Sequence, residues 1–263
     1  MIVSIMLRWL RTHRAGLLGW SAGLIGVTSM YLPFYTTVAL DPELMDQYMS
    51  ALPPEVVSAF GFDDITSPGG YVHSTVFGLL GLVLVLIAGI TRGVRAIAGD
   101  EQTGSLETEV TAAVDRRDVY IGRALGVTVF VVILGLVTGV ATALISGPSG
   151  LDLPLDRVAA GVAALTLLGV VHALIALAVG AATGRSSIAL GVAVVAAVLG
   201  YFAHNLGPMI AEGIERFSPF YWAYGNRPLS EGFDWGGLGL LLILTVVAFV
   251  AGLVTFPRRD LGV

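Results

Sequence analysis

Long apolar runs alternate with short polar segments along this chain, and this pattern dominates its sequence. Six of the runs reach the roughly 20 residues that a helix needs to cross the hydrocarbon core of a bilayer. The pattern predicts an all-α integral membrane protein whose residues 1–263 form a single transmembrane domain. The six predicted spans, numbered one to six along the chain, cover residues 15–35, 71–91, 119–146, 158–183, 187–204 and 235–256.

Three segments outside the spans carry their own patterns. Residues 1–14 predict a short helix, which either lies in the membrane interface or extends span one. Residues 99–117 predict a cytosolic helix between spans two and three, with Leu106 and Val110 on one apolar face. Such a face indicates either a helix that docks in a protein groove or an ordinary connecting helix. The aromatic-rich residues 205–234 predict a segment that re-enters the membrane before span six.

The basic residues predict the orientation of the spans. The chain has 14 arginines and no lysine, and only Arg157, Arg216 and Arg227 lie on the side opposite the N-terminus. Because loops rich in positive charge stay in the cytoplasm, we expect a multi-pass protein of the cell membrane with both termini in the cytoplasm.

Composition narrows the possible chemistry. The chain is 56% hydrophobic and 13% charged, which is typical of a protein in lipid. It has no cysteine for a thiolate metal site and no lysine for a phosphate-binding P-loop. No Asp or Glu lies inside a predicted span, which argues against a transporter driven by ions or protons. His172 is the only ionisable residue deep in a span, so it is either a candidate for the substrate path or a packing histidine.

Four motifs follow one another along the chain: Gly99-Asp100-Glu101-Gln102-Thr103-Gly104-Ser105-Leu106-Glu107, Arg116-Arg117-Asp118-Val119-Tyr120, Ser218-Pro219-Phe220-Tyr221-Trp222 and Phe256-Pro257-Arg258-Arg259. In this order they resemble motifs of the membrane subunits of ABC exporters of the second type. This family includes permeases that export drugs, antibiotics, lipids and polysaccharides. The departures from its pattern are Glu109, where the family often has an apolar residue, and Ala113, near which it often has proline.

The resemblance implies that the 99–117 segment is a coupling helix that docks on a separate ABC ATPase subunit. It also implies a second permease copy or paralogue, and export of a lipophilic drug, antibiotic, lipid or peptide. The chain itself would be no enzyme and would bind no cofactor, since ATP and Mg²⁺ would sit on the ATPase, and we expect no nucleic-acid partner. The candidate coupling residues are Asp100, Glu101, Gly104, Leu106, Glu107, Val110, Arg116 and Arg117.

Two rival interpretations remain open. The Gly-Pro-Ser-Gly motif around Ser149 and the Ala-His-Asn-Leu-Gly motif around His204 resemble those of six-span rhomboid-like serine proteases, in which a Ser–His dyad attacks a peptide bond. The motifs are short, and the chain has 34 glycines. The second rival is a passive channel or scaffold.

Overall fold

The computed structural model describes residues 1–40, 42–102 and 115–258. All regular elements among these residues are helical, and six of the helices are long and apolar enough to cross a membrane. The prediction of an all-α fold with six spans is therefore confirmed. The spans run over Arg14–Val38, Pro68–Gln102, Arg116–Ser146, Leu155–Thr183, Ser186–Asn205 and Trp235–Arg258.

The helical bounds lie beyond the predicted ones, most of all in span two. A hydropathy pattern ends at the first charged residues, but backbone hydrogen bonding continues through Arg92 and Arg95. Span two also contains two π-helical stretches, His73–Leu80 and Arg95–Gly99. The α-helical parts of spans one and six are Arg14–Tyr31 and Trp235–Thr255. Shorter helices lie at Tyr35–Leu40, Pro42–Ser50, Pro54–Ala59, Gly207–Ile210, Ile214–Phe217, Pro219–Tyr224 and Pro228–Glu231.

Span four is the central helix of the bundle. It packs against spans two, three, five and six, and its buried residues surround the helix axis. Glycines on its neighbours permit this closeness: Gly93 of span two lies against the Ala173 carbonyl, and Gly135 of span three lies against Thr166. Small residues of this kind drive helix association in lipid, where apolar side chains gain nothing by leaving their surroundings. Spans one, five and six keep most of their surface exposed, so they form the periphery.

The N-terminal helix is a separate element. It covers Ile2–Thr12 and ends at His13, where the backbone leaves helical geometry (φ −97°, ψ 8°). Its side chains lie on two glycines of span three, with Ile5 against Gly122 and Trp9 against Gly126. The helix therefore does not simply extend span one, and its position in the membrane interface stays a prediction.

Candidate functional site

The end of span two and the start of span three, on the side of the N-terminal helix, are held together by one buried arginine. Arg123 of span three is 3% exposed, although it lies in an apolar stretch of the helix. Its Nη1 donates to the Ala96 carbonyl and to Asp100 Oδ2, at 2.7 Å from the latter. Because the 99–117 segment leaves span two at Asp100 and returns to span three, this ion pair ties together the two helices that carry the segment.

Four of the predicted coupling residues lie in or near that ion pair. Asp100 and Glu101 lie in the last turn of span two, and Arg116 and Arg117 lie in the first turn of span three. Span three begins there because the Asp115 side chain accepts a hydrogen bond from the Arg117 amide at 2.9 Å. The sequence placed this basic pair at the end of a predicted cytosolic helix. In the structure the pair instead begins the helix of span three. The other four candidates lie outside the described residues; they are Gly104, Leu106, Glu107 and Val110.

The N-terminal helix contributes a second cluster at this end of the bundle. The Trp9 ring stacks on His13 with centroids 4.2 Å apart and meets the Phe130 ring edge-on. The Arg92 guanidinium lies 5.4 Å from the centroid of the same Phe130 ring. Burial lowers the pKa of His13, and the positive charges of Arg92 and Arg123 lower it further; the Trp9 carbonyl and Asp100 raise it. The cluster joins the N-terminal helix to spans two and three.

An apolar groove runs between spans two and five. Its volume is about 290 Å³, and most of its lining is aliphatic, such as Leu86 and Val194. Phe220, from the segment before span six, forms part of its wall. The groove has the size and polarity of a site for a small lipophilic molecule.

His172 lies just behind this groove. Its ring meets Phe220 edge-on with centroids 5.4 Å apart, and its Nδ1 is 2.8 Å from the Leu168 carbonyl oxygen. The side chain is 1% exposed. The packing of His172 is thus explained by its own helix and by Phe220, while its part in a substrate path stays a prediction.

The segment before span six reaches into the bundle. Ser218 caps the helix Pro219–Tyr224 and donates to the Gly200 carbonyl of span five at 2.6 Å. Phe220 follows and is 1% exposed beside His172. At 1.5 Å a residue, His172 is about 16 Å from the end of span four at Thr183. The chain therefore places an aromatic ring deep in the bundle.

A polar cavity of about 340 Å³ opens where this segment meets the loop between spans one and two. His73 at the start of span two and His204 at the end of span five both line it. An ion pair crosses its rim, where Arg227 Nη1 is 3.8 Å from Asp64 Oδ2. The sequence carried little sign of this cavity, because its lining comes from segments that are more than 100 residues apart.

The Ser–His pair of the protease interpretation is not assembled. Ser149 is 2% exposed and lies in the turn after span three. Its backbone amide donates to the Ile145 carbonyl. His204 lines the polar cavity, whose lining does not include Ser149. Across the described residues, no hydrogen bond joins Ser149 to His204, so His204 does not activate the serine hydroxyl in this geometry.

The comparison with families of known proteins gives one match, which covers nearly the whole chain. A family model described as "Multidrug efflux system permease Rv1217c, C-terminal domain" matches residues 5–257. That range includes most of the N-terminal helix, the whole of spans one to five and nearly all of span six. The comparison with curated proteins finds no similar sequence. The chain therefore belongs to the family of the C-terminal domain of the multidrug efflux system permease Rv1217c, and it is a multi-pass drug-efflux membrane permease.

Proposed function

We propose that this permease is the transmembrane subunit of an ATP-driven exporter of the second ABC type, and that a separate ATPase subunit supplies the energy. The observation that carries the proposal is where the acidic residues of the spans lie. The spans contain only Asp100, Glu101, Asp118 and Asp156, each within three residues of a helix end. Transporters driven by protons or ions keep carboxylates deep in the membrane as relays or ligands. An efflux permease without them, and without a P-loop, needs an outside source of energy.

The segment 99–117 is the proposed docking element for that ATPase. Glu101, Glu107 and the basic pair Arg116–Arg117 would contact the ATPase, and Leu106 and Val110 would enter its groove. The ion pair between Arg123 and Asp100 would make the base of the segment rigid, so that a push on the segment moves spans two and three together. ATP and Mg²⁺ would be bound by the ATPase alone.

The cargo in this proposal is lipophilic and leaves through a cavity between two permeases. The groove between spans two and five supports this view, because its lining is almost entirely apolar and it opens on the periphery of the bundle. A second copy or paralogue packed across the groove would turn it into a closed path. With both termini in the cytoplasm, the polar cavity lies at the outer, exit side.

Co-purification tests the partnership. The chain is extracted from native membranes in a mild detergent, and the proteins bound to it are identified by mass spectrometry. We expect a P-loop ATPase in a stoichiometric complex. If no such ATPase accompanies an otherwise intact permease, the proposal of an ABC exporter is wrong.

A charge reversal tests the docking segment. We expect Glu101→Lys and Glu107→Lys each to reduce ATPase binding and transport-stimulated ATP hydrolysis, because the carboxylates would face basic groups of the partner. Glu43→Lys, in the short outer helix Pro42–Ser50, is the matched control, since it changes the net charge equally at the opposite end. If stimulation is the same in all three variants, the two glutamates have no docking role.

A further inference from the structure

The apolar groove between spans two and five is long and narrow. On span two its lining runs from Leu79 to Thr91, which at 1.5 Å a residue is about 18 Å. Its volume of about 290 Å³ is spread over that length and lies at the lower end of the range for drug-sized ligands. This form fits a single hydrocarbon chain better than the two chains of a phospholipid. No charged side chain lines the groove, so any charge preference must come from its ends.

Arg95 continues the line of groove residues on span two. Val83, Ile87 and Thr91 line the groove at intervals of four residues, and Arg95 is the next position in that series. Side chains four residues apart lie above one another on one face of a helix. Because Arg95 is exposed, it places a guanidinium at the end of the groove that Thr91 marks.

Arg185 lies at the same end of the groove, on span five. It is exposed and directly precedes the helix of that span, in which Leu190 is the first residue that lines the groove. A Cβ atom on Gly180 of span four would lie 3.3 Å from Cβ of Ala98 and 3.7 Å from Cβ of Ala189. The end of span two and the start of span five are therefore neighbours, and the two arginines flank one end of the groove.

Carboxylates of the described residues leave these two arginines unpaired. No ion pair there involves Arg95 or Arg185. The carboxylates that follow Arg95 on span two are Asp100, which is bound to Arg123, and Glu101, which has a partner of its own. The start of the span five helix adds the positive end of its dipole. An anion at this end of the groove would therefore be attracted, whereas a cation would be repelled.

We propose that the groove binds the hydrocarbon chain of a single-chain lipophilic acid, and that Arg95 and Arg185 bind its anionic head group. This proposal deepens the function proposed above and rests on it, because it names the class of lipophilic molecule that the exporter carries. Binding itself requires only this chain, so the site can be tested without any ATPase.

The test is a binding titration on the purified full chain in nanodiscs of phosphatidylcholine, whose head group carries no net charge. The probe is dansylaminoundecanoic acid, a fluorescent single-chain carboxylate, at pH 8.5, where its carboxyl group is ionised. Its methyl ester is the uncharged control probe, and empty nanodiscs give the uptake by lipid alone. We expect saturable binding of the acid above that uptake. We expect the ester to bind about tenfold more weakly, since it loses the charge-assisted hydrogen bonds from two guanidinium groups.

Arginine variants test the head-group site. We expect Arg95→Gln and Arg185→Gln each to weaken binding of the acid about threefold, and both together about tenfold, because exposed ion pairs are weakened by water. Arg14→Gln is the matched control, since Arg14 is an exposed arginine of span one, which contributes no residue to the groove. We expect the control to bind the acid as the wild-type chain does.

Tryptophan variants test the chain site. Val194 lines the groove and the adjacent Val195 does not, although both side chains are exposed. We expect Val194→Trp to fill the groove and abolish saturable binding of both probes, and Val195→Trp to leave binding unchanged. This pair separates the two parts of the site, since the arginine variants affect the acid alone.

The proposal is overturned if the wild-type chain shows no saturable binding of the acid, or if the acid and the ester bind alike. It is equally overturned if the double arginine variant binds like Arg14→Gln, or if Val194→Trp binds like Val195→Trp. If a few molecules of phosphatidylglycerol in each nanodisc displace the probe, the groove holds a resident phospholipid and the assignment to a single-chain acid is wrong. None of these outcomes depends on an ATPase. A permease that binds the acid but never co-purifies with an ATPase would retain this site and lose the function proposed above.

Discussion

The ion pair between Arg123 and Asp100 makes the sharpest prediction about this fold, because it joins two helices at the base of the proposed docking segment. The perturbation is a double-mutant cycle with Asp100→Asn and Arg123→Met, which remove one charge each and nearly keep the size of the side chains. Arg95→Met is the matched control: it removes an exposed arginine from the same end of span two.

The size of the effect follows from the exposure of the two side chains. Arg123 is 4% exposed and Asp100 30%, with 2.7 Å between their charged atoms. Removing one partner of a fully buried pair costs roughly 3–5 kcal/mol, and an exposed pair contributes about 1 kcal/mol or less. Because Asp100 is partly solvated, we expect Asp100→Asn to lower the free energy of unfolding by about 2 kcal/mol, between these two limits.

The assay is equilibrium unfolding in mixed micelles, in which SDS is titrated and the fluorescence of the four tryptophans is followed. We expect the double variant to be about 1–2 kcal/mol more stable than the sum of the single variants predicts, since the second change removes a group that has already lost its partner. If the two changes add within about 0.5 kcal/mol, or if Asp100→Asn costs no more than Arg95→Met, the ion pair does not hold spans two and three together.

Three further predictions concern packing, pH and orientation. A methyl group on Gly93 would overlap with the Ala173 carbonyl oxygen, so we expect Gly93→Ala to lower the free energy of unfolding by about 1–3 kcal/mol. Gly239→Ala is the control, because a methyl group there would have nothing within 4 Å. Equal stability of the two variants would contradict the central packing of span four. Burial holds the pKa of His13 in the folded chain below its ordinary value of 6.5, so the unfolded chain binds the proton more readily and stability falls as the pH drops below 6.5. In unfolding titrations from pH 7.5 to 5.5 we expect His13→Gln to lose less stability than the wild-type chain. An unchanged dependence of stability on pH would contradict this burial. Since the chain has no cysteine, Asp152→Cys and Arg185→Cys report orientation directly, and we expect a membrane-impermeant maleimide added to intact cells to label only the first; labelling of Arg185→Cys alone would reverse the topology.

The sequence by itself determined how many membrane-spanning helices the protein has and where each one lies along the chain. A bilayer demands about 20 apolar residues in a row with all backbone groups paired, so an apolar run of that length reports a span directly. Only the ends were misplaced: Arg92 and Arg95 stop the apolar pattern of span two, yet the helix continues past them because their long side chains can reach a polar surface.

Only the tertiary structure decided which helix is central and which residues meet. Span four is apolar on all sides, so no amphipathic face in its sequence indicated its neighbours. In lipid, helices associate through close contacts of small residues, such as Gly93 with Ala173. Such contacts depend on the three-dimensional fit of the helices.

The candidate sites show the same division between sequence and structure. The proposed docking segment was visible because it is continuous in sequence and polar between two apolar spans. The partner of Arg123 and the lining of the polar cavity were not, because Asp100 lies 23 residues from that arginine and His73 lies more than 100 residues from His204 and Glu215. A single sequence carries no record of such distant contacts; the packing of the spans brings these groups together.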